Sequence, residues 1–174
     1  MIEKPEANPS GEMLGADGVS RGLVRLLRAR VPVHLARQRH ITGATAVELP
    51  DPDPSHIFPT PQPFADLSTF PALMVSMEAT DGRATNRQES PSGSYDELVM
   101  LYRVSVFVWA TGPEYDLAQL ALQRYVLATR AALITGRVIG DQTSGNWAEV
   151  ELDRLREQYT DPMQAREGTG WVAG

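Results

Sequence analysis

The sequence predicts an α+β domain: a small mixed or antiparallel sheet with a long β-hairpin, backed by one long helix and by N-terminal helices. Three observations carry this expectation. "LYRVSVFVWATG" alternates with period two, so that Tyr102, Val104, Val106, Val108 and Ala110 share one wholly apolar face. "FPALMVSMEA" is a second apolar strand, separated from the first by a polar stretch, and "PEYDLAQLALQRYVLATRAALI" follows with agreeing helix start and stop signals. With 42% apolar and 22% charged residues in 174, the chain has the composition of one soluble globular core.

Taken in order, residues 1–16, with Pro5, Pro9, Ser10 and Gly11, read as a flexible arm. From Asp17 the pattern is helical: Val19, Leu23, Leu26 and Leu27 follow three-and-four spacing, with arginines on the other flank. Pro32 then predicts two short helices meeting there, the second running through "PVHLARQRH". Six prolines in the fourteen residues Pro50 to Pro63 exclude helix and central strand and predict an extended crossover.

The next strand is expected from about Phe70 to Ala79, with Pro71 tolerable only at its beginning. Thr80 to Ser94 is a polar, glycine- and serine-containing lobe at the hairpin tip. The second hairpin arm, Tyr95 to Gly112, would reach roughly 50 Å at about 3.3 Å per residue, so part of it should leave the domain body. Pro113 suits a first helical position, Glu114 and Asp116 favour the helix dipole, and Gly136 is a plausible C-terminal cap. The alanine-rich stripe Ala118, Ala121, Leu122, Tyr125, Val126, Ala132 and Leu133 should cover the even-numbered strand face. "NWAEVELDRL" reads as a half-exposed final strand that continues towards Tyr159, and 160–174 as a C-terminal arm without a core of its own. The single domain therefore spans 17–159, with the lobe at 80–94.

Several function classes are excluded by composition. Cysteine is absent, which removes disulfides, thiolate metal sites and cysteine nucleophiles. No apolar run approaches the roughly 18 residues of a membrane span, and the N-terminus lacks a signal-peptide core, which predicts a soluble protein made in a cytoplasm. The net charge, 16 − 22 = −6, argues against general attraction to nucleic acid. A local basic face remains, because Arg21, Arg25, Arg28, Arg30, Arg37 and Arg39 crowd one stretch whereas Asp141 to Glu167 is mostly acidic. Such an arginine group is more often a solvated helix face or the partner of an acidic neighbour than a nucleic-acid site, and Glu149 and Glu151 could supply that neighbour, in the same chain or another.

Catalytic signals are weak. "GVSRG" matches the nucleophile elbow with Ser20 at its centre, but no strand precedes it, and Ser20 reads more simply as a residue near the start of the first helix. His34, His40 and His56 have no metal-ligand spacing, and prolines between Asp51 and Asp53 break calcium-loop geometry. No phosphate-binding glycine loop is present. The expectation is no enzyme, no cofactor and no metal. Phe107 and Trp109, on the odd face, read either as a second core layer beneath the N-terminal helices or as a contact with another subunit.

The order of elements resembles the tail terminator, or tail-completion, proteins of long-tailed bacteriophages and related head-tail neck proteins. The resemblance covers roughly Asp17 to Tyr159 and is carried by Phe70 and Pro71 at the first strand, the "VSVFVWA" strand and the alanine-rich helix after it. It implies a structural virion protein forming a ring, six-membered in the family, at the head-proximal end of the tail tube. There the ring ends tube polymerisation and offers the head-docking surface, with the head-tail connector of similar fold as the alternative. The implied partners are further copies of the chain, the major tail tube protein and the head-tail connector protein. DNA passes the lumen without specific binding, no membrane is involved, and the location is the tail neck of the virion, with the host cytoplasm during assembly. On this reading the subunit or partner interface draws on Arg21, Arg25, Arg28, Arg83, Arg87, Tyr95, Phe107, Trp109, Glu149, Glu151 and Trp171.

Overall fold

The computed structural model describes residues 15–85, 97–141, 146–150, 156–164 and 170–174, and their side chains outside 79–100 and 140–147. It is an α+β fold of two layers. Helix α1 (Ala16–Thr42) and helix α2 (Tyr115–Thr135) pack on each other and on one face of a mixed five-stranded sheet. The strands are β1 (Ile57–Phe58), β2 (Ala72–Thr85), β3 (Glu97–Gly112), β4 (Val138–Asp141), β5 (Asn146–Glu149), β6 (Met163–Gln164) and β7 (Trp171–Ala173). The sheet order is β1-β2-β3-β7-β6, with β1 parallel to β2 and the other pairs antiparallel, while β4 and β5 form a separate two-stranded sheet.

Where two short helices were expected, α1 is one helix of 27 residues that runs through Pro32. Proline there removes the bond to the Arg28 carbonyl and costs about 3 kcal/mol. Val24, Leu27, Val31 and Leu35 nevertheless form one unbroken buried stripe across it. Burying Val31 and Leu35 is worth roughly 1.5–3 kcal/mol each, enough to offset the proline. The helix stops at Gly43, whose φ of 71° is the left-handed cap conformation. A reciprocal capping pair follows: the Thr45 amide donates to the Glu48 carboxylate at 2.7 Å and the Glu48 amide to the Thr45 hydroxyl at 3.3 Å. That turn delivers Leu49 into the core.

The proline-rich crossover is tied down along its length. Asp53 accepts from the Ser55 amide at 2.7 Å and caps a single 3-10 turn at Pro54–His56, which leads into the edge strand β1. Arg28 donates to the Ile57 carbonyl at 3.0 Å, and Arg39 donates to the Leu49 carbonyl at 2.8 Å and to Asp51 at 3.0 Å. Asp51 and Asp53 are thus structural partners of the crossover.

The long hairpin is present, and its first arm exceeds the expected span: β2 continues to Thr85 and takes in the first six residues of the proposed lobe. Pairing decides this, since polar Thr80–Thr85 lies on the ladder from Thr80↔Tyr102 to Thr85↔Glu97. The register shifts between Met77 and Ala79. Leu73 pairs with Val108 and Val75 with Val106, so odd β2 residues and even β3 residues share the face under the helices. The expectation for the even face of β3 therefore holds: Val108 and Ala110 are buried, and Tyr102, Val104 and Val106 are half-buried against the same core. The lobe's remainder, 86–94, and the expected arm's 1–14 lie outside the described residues.

Two further expectations need correction. Residues 160–174 are not simply an arm, because β7 pairs with β3 through Ala110↔Ala173 and buries Val172 and Ala173, with β6 at the edge. A three-residue apolar segment in a polar, glycine-rich tail is too short to register as a strand by periodicity; the free edge of β3 supplies its partner. The final strand at Asn146–Glu149 joins not the main sheet but β4, whose Ile139 reaches the core against α1. Ala148 and Val150 are half-buried and Glu149 is exposed, as alternation predicts; 151–155 lie outside the described residues.

Candidate functional site

The sheet face away from the helices carries Ala72, Met74, Phe107, Trp109 and Val172. Trp109 was expected beneath the N-terminal helices if it belonged to the core. It is instead covered by chain following the crossover: Phe64 lies with its ring centroid 5.0 Å from that of Trp109, and Phe70 stands 6.2 Å from Phe64. The backbone at Gly174 also closes on the indole, where a β-carbon would fall 2.5 Å from Trp109 Cε3. The indole N–H is buried with no hydrogen-bond partner among the described residues. The cause of the reversal is topological, since both helices cross to the same side of the sheet and leave the second face to a loop. Phe107, one residue pair farther out than that cover, is 45% exposed.

Beyond Val75 on β2 and from Phe107 outward on β3, the described side chains of the hairpin are half-buried or exposed, with Met77, Tyr102, Val104 and Val106 still against the core on the helix side. Full burial on β2 is confined to Ala72–Val75 and on β3 to Val108 and Ala110, among residues with described side chains. β7 pairs only with Ala110–Gly112 and β1 only with Leu73 and Met74, so both outer edges of the ribbon are open beyond these contacts among the described residues. Arg83 lies on this ribbon opposite Val99. Arg87, Tyr95 and Glu151 lie outside the described residues.

The remaining expected interface residues are dispersed. Arg21 pairs with Asp17 one turn earlier at 2.9 Å, Arg25 is exposed, and Arg28 is engaged with the crossover. Within the chain, among the described residues, Arg21 and Arg39 of α1 pair with Asp17 and Asp51, and Glu149 is exposed. Trp171 is half-buried and meets Tyr115 edge-to-face at 5.4 Å, which binds β7 to the start of α2. Next to it opens a cleft of about 620 Å³, walled by Val47, Glu48, Phe70, Pro71, Pro113 and Trp171. Its floor is Tyr125, whose hydroxyl donates to the Pro50 carbonyl at 2.6 Å and whose pKa burial pushes upward. Thr45 donors hold the exposed Glu48 carboxyl below its ordinary range. The phenol thus ties α2 to the crossover, and Glu48 caps the turn that precedes Leu49.

Ser20 is the fifth residue of α1, buried, with its hydroxyl donated to the Pro59 carbonyl. It is neither a cap, a place held by Gly15, nor at a strand-to-helix turn. Gly22 in the same "GVSRG" is required because a β-carbon there would lie 2.0 Å from Ile139 Cγ2. The motif thus serves the contact of α1 with β4. No group of three or more His, Asp or Glu side chains converges among the described residues, and no helix among them is long and apolar enough to cross a membrane.

One surface escaped sequence reasoning. Helix α2 carries a second apolar stripe, Leu117, Leu120, Leu127 and Ile134, on the side opposite its buried one. The signal was present in the three-and-seven spacing of those residues, but the alanine-rich stripe already accounted for the helix. No family profile, curated protein or solved structure matches this chain.

Proposed function

We propose that the chain is a structural subunit of a ring at the head-proximal end of a bacteriophage tail tube, where it ends tube growth and receives the head. The observation that carries this reading is the hairpin: strands of 14 and 16 residues, fully buried among residues with described side chains only at Ala72–Val75, Val108 and Ala110, with edges open beyond β1 and β7 among the described residues and Phe107 exposed. An isolated two-stranded ribbon is marginal in water, so such a projection is best satisfied by a neighbouring chain. Head-to-tail contact between one compact core and the next subunit's projection is what a closed ring requires. The net charge of −6 suits a lumen that lets DNA pass without gripping it.

The test is electron microscopy of particles made when this gene is deleted from the phage genome that carries it. Tubes of uncontrolled length beside untailed filled heads support the terminator. Free tails of normal length beside heads that fail to join them assign the chain to the head-tail connector, and intact virions refute both.

A further inference from the structure

We infer that the outer face of α2 seats the α2 helix of a second copy of this chain, antiparallel and related by a two-fold axis. Leu117, Leu120, Leu127 and Ile134 are 46%, 40%, 37% and 42% exposed, and Arg124 and Ala131 fill the intervening places, so the row runs 117, 120, 124, 127, 131, 134. This alternation of three and four is the seam of a helix pair, narrower than the broad stripe by which α2 meets its own core. A sheet or a lipid surface has no use for so strict a repeat; another helix does.

The row is complementary to itself when reversed. Leu117 then faces Ile134 of the second copy, Leu120 faces the small Ala131, and the aliphatic stem of Arg124 lies along Leu127, so every place in the row meets an apolar group. Charge selects the direction. The start of α2 is acidic, with Glu114 and Asp116, while its last turn carries no basic residue and Arg137 follows directly after its Gly136 cap. Antiparallel packing sets opposite charges together at both ends, whereas parallel packing sets like on like. Arg130 is already tied to Glu157 at 3.0 Å, which leaves the exposed Arg137 to meet Asp116 of the second copy.

This contact does not rest on the ring reading. A two-fold interface closes at two copies, whereas ring contacts run head to tail, so each can fail without the other.

Sedimentation equilibrium of the full chain, from about 1 to 200 μM, tests the inference. The wild type should populate a dimer. Leu127→Glu should raise the dimer dissociation constant by about 100-fold with an unchanged circular-dichroism spectrum and melt. Should that variant fail to fold, Leu117→Lys, at the most exposed position of the row, replaces it. Asp116→Arg and Arg137→Asp should each weaken the dimer by about 10-fold, and the double reversal should recover most of the loss. A wild type monomeric throughout, an assembly indifferent to folded Leu127→Glu or Leu117→Lys, or a double reversal weaker than either single one would overturn it.

Discussion

Gly22→Ala should destabilise the protein in the wild-type background and stabilise it once Ile139 is truncated. In a helix interior, alanine is favoured over glycine by about 1 kcal/mol, so propensity alone predicts a gain. Against that, the added methyl would sit 2.0 Å from Ile139 Cγ2. Ile139 is 4% exposed and belongs to the core cluster. Its β-branched side chain is stiff at χ1, so relief requires β4 to shift from α1, an overpacking penalty of about 1–3 kcal/mol. The net effect is a loss of about 1 kcal/mol; with a urea slope near 2 kcal/mol/M, the midpoint falls by about 0.5 M. Ile139→Ala costs about 2–5 kcal/mol by itself but removes the Cγ2 methyl. On that background Gly22→Ala should raise the midpoint, giving a coupling of about 2 kcal/mol in the double-mutant cycle. A stabilised Gly22→Ala single mutant, or a coupling near zero, would show that β4 does not rest on α1.

Gly112→Ala should be more damaging, by about 3 kcal/mol or more in urea unfolding, because its β-carbon would meet backbone, 2.4 Å from the Ala118 nitrogen, and no rotamer relieves that. Val108→Asp places an unpaired carboxylate on the buried face of β3 and should abolish cooperative unfolding; a normal melt would mean the strand faces are reversed. His34 accepts or donates across 3.0 Å to the Thr135 hydroxyl, and partial burial together with Arg30 and Arg37 holds its pKa below 6.5. Between that lowered value and 6.5 the unfolded chain binds more protons, so the histidine's contribution is intact above 6.5 and declines as pH falls. His34→Gln should flatten this segment of a stability-versus-pH curve, and an unchanged slope would remove His34 as its source.

Much of this architecture was legible in the sequence because it is written in short periods. The alternation of Tyr102 to Ala110 marked the inner face of β3, and Pro113, Glu114 and Gly136 bracketed α2 within a residue or two. Proline density between Pro50 and Pro63 foretold a crossover without helix or central strand beyond its short turn and edge pairing. These signals depend only on neighbours along the chain, which is why local rules recover them.

What the tertiary structure alone decided concerns contacts between distant segments. Pro32 is a helix breaker by local rules, yet α1 passes through it because Val31 and Leu35 are buried by a sheet and a second helix that no local window contains. Trp109 is apolar in sequence whichever side covers it; only the crossing of both helices to one face assigns it to Phe64. Trp171–Ala173 becomes a strand because β3 offers it an edge, and Leu117, Leu120, Leu127 and Ile134 remain exposed because α2 spends its other face on the core. Burial energy is set by the whole surface an element meets, whereas periodicity records only that a surface exists.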